Sequence, residues 1–138
     1  MSRKATETAV NMLVEHVGKV VSLDNERYEL KEELLECKGQ VNLYASDLSW
    51  VVASRETAGA FAAPAFLRRT KSARDLMNRI HSLQTRIPSI LETQKLMIQE
   101  AVWLMEQPLV KPVLDGYEEG RVFRFRVNCF ARTLYAQH

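Results

Sequence analysis

The stretch FLRRTKSARDLMNRIHSLQTR, residues 66–86, carries six basic side chains and one acid. No other segment has a residue type and spacing better suited to chemistry with a partner. On a helical wheel at about 100° per residue, Arg68, Arg79 and Arg86 fall together beside the apolar arc of Leu76, Ile80, Leu83 and Ile87. Lys71 lies further round and Arg74 on the far side. Seven residues separate Arg79 from Arg86, which places them about 10 Å apart along one face. Guanidinium groups spaced in this way present forked donors to successive phosphate oxygens, and each charge displaces counterions. Thr70, Ser72, Asn78, Ser82, Gln84 and Thr85 fill the remaining polar surface with hydroxyls and amides, which suit the ribose 2′-hydroxyls of an A-form duplex. That polar face has no aromatic residue, so stacking on unpaired bases is not signalled. The candidate nucleic-acid contacts are therefore Arg68, Arg69, Lys71, Arg74, Arg79 and Arg86. The plainer alternative is the solvated face of an ordinary helix.

Elsewhere the chemistry is sparse. There is no glycine-rich phosphate loop, no HExxH, no CxxC and no GxSxG. Glu118 and Glu119 are adjacent, and neighbouring side chains on a helix or strand diverge, so they do not form an acid–base pair. Cys37 sits among Leu34 and Val41 and reads as a small buried hydrophobe rather than a nucleophile. With two cysteines and scattered His16, His81 and His138, neither a disulfide framework nor a metal site is expected. The sequence gives no reason to expect an enzyme, a cofactor or a small-molecule substrate. The N-terminal segment lacks the apolar run of a signal peptide, and the longest uncharged run, 57–67, is too short to span a bilayer. A reducing, cytoplasmic setting is the expectation.

These residues must be positioned by helices. Five Gly and four Pro in 138 residues leave few turn signals, and the abundant Leu, Glu, Arg, Ala and Gln favour helix, so the fold expected is all-α. Charge is segregated: residues 1–66 hold 7 basic and 10 acidic groups, 67–90 hold 6 and 1, 91–120 hold 2 and 6, and 121–138 hold 4 and none. Counting in alternating threes and fours from Ala9 gives Leu13, His16, Val20, Leu23, Arg27, Leu30, Leu34, Cys37, Val41, Tyr44, Leu48 and Val51. This is a heptad seam interrupted only by His16 and Arg27, as in a helix burying a narrow stripe against a partner. Leu13, Val20, Leu23, Leu30, Leu34, Val41 and Leu48 are the expected homodimer seam. The alternative is that they pack on the rest of the same chain. Gly18 and Gly39 interrupt the run, and a break with recapping at Ser22 or Asp24 is plausible on propensity.

The spacing predicts four regions: a coiled-coil-like helix over 1–53, a connection over 54–70 containing Pro64, a helical hairpin over 71–116 and a basic amphipathic tail over 117–138. In the hairpin, one helix starts near Ser72 and bends or stops at Ile87 before Pro88. The SILE box at 89–92 caps the next, which ends before Pro108. PLVKPVLDG forms a short helical turn closed by Gly116. The tail alternates like a strand but fits a helix equally well; helix is preferred, because a lone strand has no partner.

The segment LMEQPLVKPVLDG (104–116), with ARDL (73–76), resembles the silencing suppressors of insect nodaviruses at the opening of their second helix and its junction with the third. The resemblance covers residues 73–116 and implies an antiparallel helical dimer that lies along double-stranded RNA and shields it from Dicer-type cleavage. Of the basic residues, Arg74 alone carries over directly. Gln99 and Glu100 stand where the family has a basic residue, and the interval from Asp75 to Pro108 is about one heptad longer. The first expectation is thus a homodimer that binds double-stranded RNA regardless of sequence and suppresses RNA silencing. The second is a coiled-coil scaffold or adaptor, such as a viral structural or tethering component. Its partner would be another helical protein, docking on Met97, Ile98, Val102, Trp103 and Met105.

Overall fold

The heptad seam does produce one long helix. In the computed structural model the backbone is described for residues 3–58 and 62–137, and side chains for 3–43 and 71–137. Four helices follow in order: α1 (Arg3–Ala58), α2 (Ala62–Met105), α3 (Lys111–Gly116) and α4 (Glu118–Tyr135). Among the described residues there is no strand, and the fold is all-α.

Several boundaries differ from the sequence expectation. α1 passes through Gly18 and Gly39 without a break. A helix-interior glycine costs roughly 1 kcal/mol relative to alanine, whereas fully burying a Leu or Val contributes about 1.5–3 kcal/mol. Leu13 and Val20, on either side of Gly18, are both 0% exposed, so burial outweighs propensity. Helix also occupies most of the span expected to be a connection (54–70), since α1 reaches Ala58 and α2 begins at Ala62. Pro64 falls in the first turn of α2, where the amide it lacks has no intrahelical acceptor. α2 then runs through Pro88 instead of stopping at Ile87, so the hairpin expected over 71–116 is not formed by two helices meeting there. Ser89 is mid-helix and accepts at its carbonyl from Thr93 Oγ1 (3.1 Å); the 89–92 capping box is not used.

The chain divides into two compact units, one of residues 28–87 and one of 1–27 with 88–138. In the first, α1 and α2 close around Cys37, Ile80 and Leu83, with Leu30, Leu34, Val41, Leu76 and Ile87 packed on them. In the second, Leu13 and Val20 meet Leu91, Ile98, Ala101 and Met105 from α2, and Val127, Ala131 and Leu134 from α4 complete the core. The helices run antiparallel there: His16 faces Glu100, and further along α1 Val20 meets Gln94. The seam of α1 is thus covered by α2 of the same chain. This is the alternative packing left open by the heptads, and it takes up the surface assigned to a homodimer seam. Leu13 and Val20 are buried, and Leu23, Leu30, Leu34 and Val41 are half-buried. Leu48 lies outside the described side chains.

Both interruptions of the heptad are accommodated inside this packing. His16 Nε2 lies 3.1 Å from Glu100 Oε2. Arg27, only 5% exposed, donates to Asp24 Oδ1 (2.9 Å) and to Gln137 Oε1. Gln94, fully buried, donates to the Val20 carbonyl (3.1 Å) and to Asp24 Oδ1 (3.2 Å), and Lys95 Nζ donates to the Gln137 carbonyl at 2.8 Å. A buried polar group is tolerated where such partners replace water. The accommodation is partial, because among the described residues His16 Nε2, Arg27 Nε and Gln94 Oε1 are buried without a hydrogen-bond partner.

α2 ends in bonds from Glu106 to the Trp103 carbonyl and from Gln107 to that of Leu104, the i→i−3 pattern that tightens a last turn. α3 has Pro in its first turn, and Tyr117, extended at φ −126° and ψ 147°, turns the chain into α4. Glu118 and Glu119 lie in the first turn of α4 and Arg132 in the last, each placed favourably on the helix dipole. The tail is therefore the helix preferred over a strand. Its Val127, Ala131 and Leu134 face the core.

Candidate nucleic-acid interface

All six candidate cations lie on α2, a single helix, which holds them at 1.5 Å of rise per residue. Their side chains do not all do the same thing. Lys71, Arg74 and Arg86 are exposed. The side chains of Arg68 and Arg69 lie outside the described residues. Arg79 is half exposed and forms a two-pronged ion pair with α1, its Nε 2.6 Å from Glu33 Oε1 and its Nη2 2.9 Å from Glu33 Oε2.

That pair corrects the wheel. Arg79 borders the apolar arc, and the arc is packed on α1, so the guanidinium reaches the acidic helix rather than an outside anion. The hydrogen bonds from Arg79 hold the Glu33 carboxyl below its ordinary range, and the same bonds raise Arg79. A bidentate fork of this kind fixes two side chains geometrically. With nearly half of each surface still open to water, its net contribution to stability is small.

The outward face of α2 is what remains for a partner. Lys71, Arg74, Asn78, His81, Ser82 and Thr85 are all exposed and recur at three- and four-residue steps along one side of the helix. Asp75 is the single acid between Lys71 and Arg86. Thr85 turns its hydroxyl back to the His81 carbonyl at 3.0 Å, leaving the hydroxyl oxygen with acceptor capacity. In the same unit α1 exposes Glu29, Glu32 and Glu36. One helix of the pair is thus acidic outside and the other basic, a segregation that sums over local charges rather than over the whole chain.

No family model, curated protein or solved structure matches this chain.

The basic tail also divides. Arg124 is mostly buried and joins three elements: its Nη2 donates to the Met105 carbonyl (3.1 Å), its Nε to Asp115 Oδ1 (3.1 Å) and its Nη1 to Glu106. Lys111 adds a contact to Glu106 at 3.3 Å. Hydrogen bonds from Arg124 and then Lys111 depress the Glu106 carboxyl. Arg121, Arg126 and Arg132 stay on the outward side of α4. Sequence reading could not separate Arg124 from these three, because its partners come from α2 and α3.

The docking arc expected on α2 is also reduced. Ile98 and Met105 are fully buried in the core of their own chain, and Met97 and Val102 are half-buried. Only Trp103, 60% exposed, remains open. A groove that does not include Trp103 is lined by Gln99 and Val102 from α2 and by Asn128, Ala131, Arg132 and Tyr135 from α4. Among the described residues no group of three His, Cys, Asp or Glu side chains is placed to hold a metal ion. No described helix is long and apolar enough to cross a membrane. Both cysteines are free, Cys37 being buried and Cys129 half-buried.

Proposed function

We propose that this protein binds double-stranded RNA without sequence preference, as an assembly of two copies, and that by covering the duplex it suppresses RNA silencing in the cytoplasm. The observation that carries the reading is the outward face of α2, where Lys71 and Arg74 are followed by an exposed row of amide and hydroxyl groups at helical spacing. Cations position a helix on phosphates, and hydroxyls and amides meet the 2′-hydroxyls that distinguish RNA from DNA. Arg79 is removed from the contact set by its pair with Glu33. Lys71 and Arg74 are the described side chains that carry the contact on this face, with Arg68 and Arg69 on the same helix.

The test is a gel shift on a random-sequence RNA duplex of about two turns, with single-stranded RNA and the matching DNA duplex alongside, over a salt series. Two phosphate contacts per chain, four for the two copies, give a log–log salt slope of roughly −4, and each further cation adds about −1. Lys71→Glu with Arg74→Glu abolishes the shift, while Arg79→Gln leaves it. No shift at low salt rejects the reading. A second reading, an adaptor for a partner helix, is favoured by one observation, the 60% exposure of Trp103 on α2. It predicts that Trp103→Ala, and not the Lys71/Arg74 pair, removes the activity.

A further inference from the structure

The outward face of α4 is both basic and apolar. Phe125 is 65% exposed and Val122 43%. Arg121, Arg126 and Arg132 are exposed around them, at the three-, four- and seven-residue steps that share a helix face. This surface extends about 17 Å from Arg121 to Arg132. Within it Arg121 donates to the Asp115 carbonyl, Arg132 lies 4.0 Å from Cys129 Sγ, and Arg126 has no ion pair or hydrogen bond of its own among the described residues. The acids of α4, Glu118 and Glu119, are confined to its first turn.

A counterpart lies on α1. Tyr28 and Leu35 are 66% and 67% exposed and share one line of the helix, seven residues apart. Glu29, Glu32 and Glu36, all exposed, flank that line on one side, and none has an intramolecular partner among the described residues. Lys31 and Lys38 flank the other side. Two large apolar side chains beside three carboxylates match two apolar side chains beside three guanidinium groups, in a patch about 12 Å long.

We infer that these two faces bind each other between copies: the α4 face of one molecule docks on the Tyr28–Glu36 face of α1 in a second. The inference deepens the two-copy part of the proposed function, because the heptad seam is already filled by α2 and the copies must meet elsewhere. A contact joining two different faces closes into a dimer if the operation relating the copies is two-fold, into a larger ring if another rotation closes, and otherwise extends into an open chain. A two- to three-turn patch is smaller than a standard stable interface, so a single contact is weak and salt-sensitive; two-fold closure doubles it.

The experiment is sedimentation velocity on the full chain, without RNA, from roughly 10 µM to 1 mM at low and high salt. Association at low salt that is lost at high salt is expected. Arg126→Glu with Arg132→Glu, and separately Glu32→Lys with Glu36→Lys, each weaken it at least about tenfold, as for close interfacial charge pairs. Mixing the two doubly reversed proteins restores it. All four positions are exposed, and unchanged circular dichroism melts verify that the variants fold. A wild type that stays monomeric, reversals without effect, or no restoration on mixing overturns the inference. So does an α4 reversal that removes RNA binding while leaving self-association intact, which would make the face a phosphate surface. RNA binding is scored separately in the gel shift, so failure there leaves this result interpretable.

Discussion

Gly120 is where helix propensity and packing disagree most sharply. It lies in the first turns of α4, and by propensity alone Gly120→Ala stabilises a helix by roughly 1 kcal/mol. A Cβ built at this position would stand 2.6 Å from the Leu114 Cα and 2.8 Å from its carbonyl carbon, and closer still to the carbonyl oxygen. Ordinary carbon–carbon contact needs about 3.5–4.0 Å, so α4 has to retreat from α3 by close to an ångström. The obstacle is backbone and cannot rotate away. Overpacking a rigid site costs about 1–3 kcal/mol and occasionally more; the upper end applies here and exceeds the propensity gain. A net loss of about 2 kcal/mol lowers Tm by roughly 4–10 °C for a domain of this size. Gly18 and Gly39 are the controls: nothing lies within 4 Å of a Cβ at either, so Ala there raises stability by up to about 1 kcal/mol. Thermal and urea melts of the three variants decide the matter. A Gly120→Ala protein as stable as Gly18→Ala would refute the close approach of α3 and α4.

Leu13→Ala removes a fully buried side chain and costs about 2–5 kcal/mol; because the seam packs within one chain, the loss should appear in urea melts whatever the protein concentration. Arg124→Ala leaves the part-buried Met105 carbonyl without its donor, while Glu106 keeps Lys111 and Asp115 is open to water, and lowers stability by about 1–2 kcal/mol in the same assay. Glu33 and Glu106 have native pKa values below the ordinary 4.5, so the unfolded chain binds their protons more readily than the native one. The stability they contribute is whole above about pH 4.5 and is lost as pH falls through the depressed native values. Glu33→Gln with Glu106→Gln therefore flattens the acid limb of a Tm-against-pH profile and leaves its slope near neutrality unchanged.

The all-α class, the long first helix, the turn closed by Gly116 and the helical tail were legible in the sequence because each depends on local periodicity or capping. The continuity of α1 through Gly18 and of α2 through Pro88 was not. Their local penalties are real, but they are offset by apolar side chains buried on either side, and that burial depends on which helix lies opposite. The same holds for the site. A helical wheel places Arg79 beside the apolar arc but does not show that the arc faces an acidic helix, and Arg124 looks no different from its neighbours until Met105, Glu106 and Asp115 surround it. Heptad spacing identified the buried stripe of α1 without distinguishing a second copy from the chain's own α2.

The division of the chain has a consequence for the order in which it folds during synthesis. Residues 28–87 form one unit from contiguous sequence, so this hairpin can close as soon as it leaves the ribosome. The other unit joins residues 1–27 to 88–138, contacts of long sequence separation that carry a loop-closure cost. Folding the middle first brings the two ends of that loop together in advance, so most of the cost is met before the outer unit forms. Until Ile98 and Leu134 are made, Leu13 and Val20 have no surface to cover them. During synthesis these apolar side chains therefore wait exposed, open to a chaperone or a neighbouring chain.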